Sequence, residues 1–307
     1  MLNDHVHIVM ATYNGEKFLR QQLDSLLSQT YRNISIEVCD DGSTDQTLDI
    51  LKEYEENCEV LTVHRNEQNL GYVMNFLQGI KRSEEGYIML CDQDDVWNDD
   101  KIEKTLQEMK KQEEQYEGKP VLVYTDAMNF DSDSNENLGS FHQSSHLDTA
   151  MVDTAHLFME NKIIGCTVMV NRYVIPYLDE LPTDIRVHDW WLALICSHFG
   201  TVAYLPEMTL RYRQHSGNMI GGSSFSDYIK NRLKGIREQK EVLRATVRQG
   251  QQFEKLFGGQ MSKTQKEIAE AFGSLYNKNG FARRRLLFKY GFWKSGTTRN
   301  VGLLLLI

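Results

Sequence analysis

The chain has 307 residues, with 34 Lys/Arg against 43 Asp/Glu, a net charge of −9 and 41% hydrophobic residues. That length suits one large domain or a domain with an appendage, and that composition suits a packed core. No apolar run reaches the roughly 18 residues a membrane-spanning helix needs, which excludes an integral membrane protein of that type.

The N-terminus enters a strand-like segment directly, with no basic stretch followed by an apolar one, so no signal peptide is expected. Cys39, Cys58, Cys91, Cys166 and Cys196 are scattered and form no CxxC pair. That pattern predicts reduced, mostly buried thiols in a cytoplasmic protein. Charge is unevenly distributed. Residues 1–227 hold 17 Lys/Arg and 38 Asp/Glu, a balance of −21, while residues 228–307 hold 17 and 5, a balance of +12. A basic tail on an acidic body points to an anionic partner. An acidic body repels phosphate backbones, so that partner is not expected to be nucleic acid.

In chain order, His5–Ala11 reads as a strand and Lys17–Ser28 as an amphipathic helix. Ile34–Cys39 is a strand, and Thr44–Tyr54 a helix with Ser43 or Thr44 as cap. Val60–His64 (strand), Tyr72–Ile80 (helix), Tyr87–Cys91 (strand), Lys101–Gln115 (helix) and Val121–Thr125 (strand) continue the alternation. Alternating elements predict an α/β fold with a Rossmann-like, mainly parallel sheet flanked by helices. Asp131–Asp148 is polar and serine-rich and reads as a loop or lid. Ile163–Val170 is strand-like, Val187–Phe199 helical, and Thr201–Leu205 and Thr209–Tyr212 two short strands. From Phe225 onward the chain reads as basic and helical. The division expected is 1–224 for the α/β domain and 225–307 for a helical C-terminal extension.

Four polar clusters follow four successive strands: Thr12-Tyr13-Asn14-Gly15, Asp40-Asp41-Gly42-Ser43, Arg65-Asn66 and Asp92-Gln93-Asp94-Asp95. Ligands on parallel sheets bind beyond the strand C-terminal ends. Three carboxylates within four residues repel one another, and a hard divalent cation removes that cost while keeping positions open for phosphate oxygens. A solvated acidic surface loop is the bland alternative for such a cluster alone. One carboxylate of the Asp40/Asp41 pair can accept from a pyrimidine N–H, while Gly42 and Ser43 suit a turn and a helix start. In His188-Asp189-Trp190-Trp191 a carboxylate lies between aromatic rings. Indoles stack on sugars and raise a carboxylate pKa by desolvation, which suits a general base facing a sugar. The same run also suits a helix start with the tryptophans in the core and Asp189 as cap. After the last strand, His215 can complete a metal site, or be structural, and Arg211 or Arg213 can neutralise a diphosphate.

Together Val9–Gly15, Asp40–Asp45, Asn69-Leu70-Gly71, Asp92–Trp97 and His188-Asp189 resemble the family 2 glycosyltransferases, of the fold called GT-A. The resemblance covers about residues 5–220. Cys91–Trp97 and Tyr212–Asn218 look most like bacterial rhamnosyltransferases of cell-surface polysaccharide synthesis. The resemblance implies that Thr12, Tyr13, Asn14, Asp40, Asp41 and Asn69 hold the nucleotide. Asp92 and Asp94 would be its DxD motif, with Gln93 between them. Asp94 would ligate Mn²⁺ or Mg²⁺ and Asp92 would lie nearer the ribose, with His215 as a further metal or diphosphate contact. Arg213 would meet the leaving diphosphate, Asp189 would be the base, and Trp190 and Trp191 would face the acceptor. The family's usual ED pair is His-Asp here, and the Q-x-x-R-W motif of processive members is missing.

The activity implied is inverting transfer from a nucleotide sugar, dTDP-β-L-rhamnose or a UDP-hexose, to a lipid-linked saccharide. The basic helices would then rest on the anionic inner face of the cell membrane. Packing on the catalytic domain or forming a homodimer are their alternatives. A sugar-nucleotide nucleotidyltransferase is a more distant reading, because it calls for a glycine-rich basic loop where this chain has Ala11-Thr12-Tyr13-Asn14-Gly15-Glu16.

Overall fold

The apolar run that opens the chain becomes β1 (Val6–Thr12), whose Val6, Ile8, Val9 and Met10 are fully buried. It is followed by α1 (Leu19–Leu27), β2 (Ile34–Asp40), α2 (Thr47–Asn57), β3 (Leu61–Arg65), α3 (Tyr72–Arg82) and β4 (Tyr87–Cys91). The computed structural model describes residues 4–214 and 235–307. β3, β2, β1 and β4 are parallel neighbours, with Thr12 opposite Asp40, Asp40 opposite Arg65 and Met10 opposite Cys91. Their C-terminal ends are therefore nearly level, and the four polar clusters share one sheet edge.

The second half of the sheet is mixed. β5 (Val96–Trp97), α4 (Lys101–Glu113), β6 (Val121–Asp131), β7 (Asn137–Ser140), α5 (Phe141–Ser145), α6 (Thr154–Met159), β8 (Val168–Asn171), α7 (His188–Phe199) and β9 (Thr201–Gln214) follow in order. The strand order is β3-β2-β1-β4-β8-β6-β9-β5, with β7 on β6. β8 runs antiparallel to both β4 and β6, while β6 and β9 are parallel.

Several local expectations change. Helix α2 begins at Thr47, because Ser43 and Thr44 are engaged in the preceding turn instead of capping it. Asp131–Asp148 contains β7 and α5, the latter capped by Ser140 Oγ, which accepts from Gln143 N at 3.1 Å. The two short strands after α7 are one 14-residue strand, β9. Pro206 has no N–H for a ladder, and it falls where the β6–β9 register shifts, between Leu205 and Met208. Ile163–Val170 is strand only from Val168; Gly165–Thr167 is a 3-10 turn.

The C-terminal region forms α8 (Ile236–Phe257), α9 (Lys263–Gly273), α10 (Gly280–Tyr290) and α11 (Thr297–Leu306). The expected boundary at 224/225 lies outside the described residues. These helices share one apolar core with α6, α7 and half of the sheet. Phe253 and Phe257 of α8 meet Trp191, with ring centroids 5.4 and 5.9 Å apart, and Phe272 stacks on Phe158 at 4.9 Å. Two of the basic residues have structural partners. Arg283 donates to the carbonyls of Leu275 and Lys278, and Arg284 to that of Leu304 near the end of α11. Cations there complement the helix C-terminal dipole. No helix among the described residues is long and apolar enough to cross a membrane.

Candidate active site

A cavity of about 590 Å³ opens at the shared strand edge. Thr12 and Tyr13 line it from β1, Asp41 and Asn69 from the loops after β2 and β3, and Asp92, Gln93 and Asp94 from the loop after β4. His188 and Asp189 at the start of α7 close the far side, with Tyr72, Asn75 and Phe76 of α3 beneath.

The loops after β1 and β2 hold each other. Asn14 N donates to Ser43 Oγ at 2.9 Å, Asn14 Oδ1 accepts from Thr44 N at 2.8 Å, and Gly15 N donates to Thr47 Oγ1 at 2.8 Å. Asp40, fully buried, accepts from Gly42 N at 3.1 Å, Ser43 N at 3.0 Å and Thr12 Oγ1 at 3.1 Å. Asn14 and Asp40 are engaged by these protein partners and are not among the residues lining the cavity. Their polar atoms build the turn that presents Thr12, Tyr13 and Asp41. Asp41 accepts from Leu70 N and Gly71 N, both at 2.8 Å, which fixes the Asn69–Gly71 loop. Gly71 sits at φ 75°, a conformation that favours glycine.

The acidic loop is shaped from two sides. Gln93 Oε1 accepts from Tyr13 N at 2.8 Å and its Nε2 donates to Tyr13 O at 3.1 Å, so this amide bridges the ends of β1 and β4. A Cβ on Gly15 would overlap that Gln93 side chain. From behind, Arg213 Nε donates to Asp94 O at 2.6 Å and its Nη2 to Gln21 Oε1 at 2.6 Å. Its guanidinium lies against Phe18 and Phe130, 4.3 and 4.7 Å from the ring centroids. Arg213 is only 5% exposed and does not line the cavity. In this position it supports the acidic loop. Arg211 lies over Phe130 and donates to Asn135 Oδ1 at 2.7 Å.

Asp95 points inward, 1% exposed, accepting from Arg213 N at 3.1 Å. Burial, then Asp94 and Asp92, push its carboxyl well above the ordinary value. Below it lies Lys101, fully buried, donating to Thr209 Oγ1 at 3.1 Å and lying over the Trp97 ring at 4.7 Å. Burial lowers the Lys101 ammonium to about 8, opposed by Cys166, Cys91 and Asp95. Asp92, facing the cavity, is raised to about 7 by burial and then by Asp94 and Asp189.

Asp189 is 4% exposed and raised to about 7 by burial, opposed by hydrogen bonds. Its Oδ1 accepts from Trp190 N at 2.6 Å and Asn161 Nδ2 at 3.1 Å. A carboxylate near 7 suits proton abstraction at neutral pH. His188 stacks on Phe76 at 4.1 Å, and neither ring nitrogen has a hydrogen-bond partner among the described residues. Burial lowers its imidazole to about 3, so it is neutral. Trp190 and Trp191, expected to face the acceptor, lie in the apolar core. Trp190 is 6% exposed with Nε1 donating to Leu157 O, Trp191 is fully buried, and neither lines the cavity. The helix start puts Asp189 on the cavity and its two aromatic neighbours in the core. His215 lies outside the described residues. Asn161, Phe141, Ile163 and Ile164 line the cavity without any motif having marked them as ligand contacts.

A family model described as glycosyl transferase family 2 matches residues 7–158. The chain is 30% identical over 254 residues to the dTDP-rhamnosyl transferase RfbG of Shigella flexneri, covering 76% of this chain and 82% of that protein. The chain belongs to the family 2 glycosyltransferases.

Solved glycosyltransferases share its fold, which is GT-A. S. aureus TarS 1-349, solved with UDP-GlcNAc, superposes with a TM-score of 0.58 at 15% identity, over 93% of this chain and 80% of that one. The mannosyltransferase PcManGT from Pyrobaculum calidifontis, solved with GDP-Man and Mn²⁺, gives 0.54 at 15% identity, over 99% and 81%.

Glycosyltransferases of this fold commonly use a divalent metal, and the donor atoms of this one can be tested for fit. Asp92, Asp95 and Cys166 bring one potential ligand atom each within 4.8 Å. Burial holds the Cys166 thiol well above its usual pKa, so it stays protonated and is a poor partner for a hard cation. Asp92 and Asp94 offer carboxylate oxygens on the cavity wall, and that all-oxygen pair fits Mg²⁺ or Mn²⁺.

Proposed function

We propose that this glycosyltransferase moves a sugar from a nucleoside diphosphate donor to an acceptor hydroxyl by a single displacement that inverts the anomeric centre. One observation carries the reading: Asp189, raised to about 7 by burial, lines the same cavity as Asp92 and Asp94. Asp189 takes the acceptor proton as that oxygen attacks the anomeric carbon and the nucleoside diphosphate leaves. Thr12, Tyr13, Asp41 and Asn69 hold the base and ribose, and Asp92 and Asp94 hold the metal end of the diphosphate. A bound Mg²⁺ or Mn²⁺ supplies positive charge to the diphosphate oxygens. The neutral His188 adds no charge of its own beside the base.

For the donor we favour dTDP-β-L-rhamnose. The dTDP-rhamnosyl transferase relative supports it, as does the apolar wall of Phe76, Ile163 and Ile164, which suits the methyl group of a 6-deoxy sugar. The proposed acceptor is a lipid-linked saccharide of polysaccharide synthesis at the inner face of the cell membrane. Phe281 and Phe288, seven residues apart on α10, are 80% and 68% exposed, and Leu305 on α11 is 77% exposed, within a region of net positive charge. Exposed apolar side chains amid cations suit an anionic bilayer surface. The test is a panel of dTDP-rhamnose, UDP-glucose, UDP-galactose and UDP-GlcNAc with Mn²⁺ or Mg²⁺, read as nucleoside diphosphate release. Turnover of dTDP-rhamnose alone supports the rhamnosyl reading; turnover of a UDP-sugar alone rejects rhamnose and keeps the transferase.

A further inference from the structure

The loop Glu160-Asn161-Lys162, between α6 and β8, faces two ways. Asn161 turns towards the cavity. Its Nδ2 donates to Asp189 Oδ1 at 3.1 Å and its Oδ1 accepts from Ile163 N at 3.1 Å, which fixes the orientation of the amide. Glu160 and Lys162 turn towards the C-terminal helices. Lys162, fully buried, donates to Glu160 Oε2 at 3.1 Å and to Ser295 Oγ at 2.7 Å. Glu160 Oε2 also accepts from Ser295 N at 2.6 Å, and Arg299 lies 3.4 Å from Glu160 Oε1.

The same two C-terminal residues also hold residues 145–148, at the end of α5, whose His142 Nε2 lies 3.1 Å from Lys162 O. Ser295 Oγ accepts from Asp148 N at 2.9 Å, and Arg299 donates to the carbonyls of His146, at 3.1 Å, and Ser145. The segment they hold carries Phe141 and Leu147, which line the cavity. Lys162 and Arg299, both buried, each pair with the part-buried Glu160, and an ion pair taken from solvent that loses one partner is strongly destabilised.

We propose that Asn161 is the positioning residue of the base, and that Ser295 and Arg299 hold it in place through the Glu160–Lys162 pair. The proposal rests on the reading of Asp189 as base. With Trp190 N and Asn161 Nδ2 both on Oδ1, the carboxylate cannot rotate without breaking two hydrogen bonds. Its direction towards the acceptor is thereby set by a loop that the C-terminal helices clamp. Those helices thus complete the acceptor half of the site from behind, without contacting substrate.

The test uses the full chain and the nucleotide sugar that the panel shows to turn over. Asn161→Ala is expected to lower kcat by about tenfold or more, because orientation of a reacting group is lost, while donor KM changes by less than about twofold. It also moves the acid limb of the kcat profile to higher pH, since a donor to the ionised carboxylate is gone. The other titratable groups facing Asp189, namely His188 on α7, Tyr72 on α3 and Asp92 after β4, are unchanged in the variant. Ser295→Ala, remote from the cavity, is expected to shift the acid limb in the same direction by less, and it serves as the second variant if Asn161→Ala folds poorly. An unmoved acid limb with wild-type kcat in Asn161→Ala, or in Ser295→Ala where that variant stands in, overturns the proposal. So does a loss of kcat matched by an equal loss of donor binding. Asp189→Asn separates the two claims: full turnover there overturns the base reading and this proposal with it, whereas an inactive Asp189→Asn beside a wild-type-like Asn161→Ala overturns this proposal alone.

Discussion

Arg213 Nε donates to the backbone carbonyl of Asp94 at 2.6 Å, joining the end of β9 to the acidic loop 119 residues earlier in the chain. The fork is used twice, since Nη2 reaches Gln21 on α1, and the guanidinium plane packs on Phe18 and Phe130. Lysine is a point charge and reproduces neither the fork nor the packing. Arg213→Lys is expected to lose about 2 kcal/mol of stability, the scale of charge-assisted hydrogen bonds given up in a buried setting. It should also weaken nucleoside diphosphate binding while the cavity residues themselves are intact. Thermal unfolding with calorimetric titration checks both.

Asp94→Asn tests the metal assignment. If Asp92 and Asp94 hold the cation, Mn²⁺ together with a nucleoside diphosphate stabilises the wild type by about 3 kcal/mol at a hundredfold excess over Kd. The variant is expected to lose most of that ligand-induced rise in Tm. An equal rise in wild type and variant places the cation elsewhere.

The buried base carries a stability cost whose pH dependence has a definite sign. Asp189 sits near 7 in the folded chain against an ordinary 3.8. Between those values the folded chain binds a proton that the unfolded chain lacks, so this group lowers stability as pH rises through the window, and its full cost applies above 7. Asn carries no such cost and keeps an oxygen for Trp190 N and Asn161. Asp189→Asn is therefore expected to be more stable than wild type at pH 8, by on the order of a few kcal/mol, with the gain fading towards pH 4. Denaturant titrations at pH 8 and 5 with chelator present check it.

Phe281→Ser with Phe288→Ser is expected to cut binding to vesicles of phosphatidylglycerol by about tenfold or more, since a buried Phe is worth roughly 1.5–3 kcal/mol. Both residues are exposed, so folding and turnover of a water-soluble acceptor should be unchanged. Charge reversal of Arg283 and Arg284 is a poorer probe, because both serve backbone carbonyls. Unchanged co-sedimentation of the double variant removes the membrane reading.

The parallel half of the fold was legible because β1, β2 and β4 are short apolar runs that stop abruptly at polar clusters, which is the local signature of a strand ending at a ligand edge. What a single residue faces was not legible in the same way. The pair Trp190-Trp191 fits a sugar platform and a core equally well in composition. Phe253 and Phe257, some sixty residues later, decide for the core. Asp40 and Asp41 are adjacent and chemically identical, yet one ends β2 and turns into the loop while the other reaches the cavity wall. Thr201–Leu205 and Thr209–Tyr212 read as two strands, whereas the sheet runs through Pro206 with a register shift. Asn161 carries no motif, because its role depends on a helix start nearly thirty residues away.

The central claim is that one cavity holds a nucleotide sugar at Asp92 and Asp94 and activates the acceptor through Asp189. The most direct measurement is donor turnover and donor affinity, side by side, in wild type and Asp189→Asn. The account predicts nucleoside diphosphate release falling by about a hundredfold or more, the scale of a lost general base, with donor Kd within about twofold. Full turnover in Asp189→Asn would contradict it.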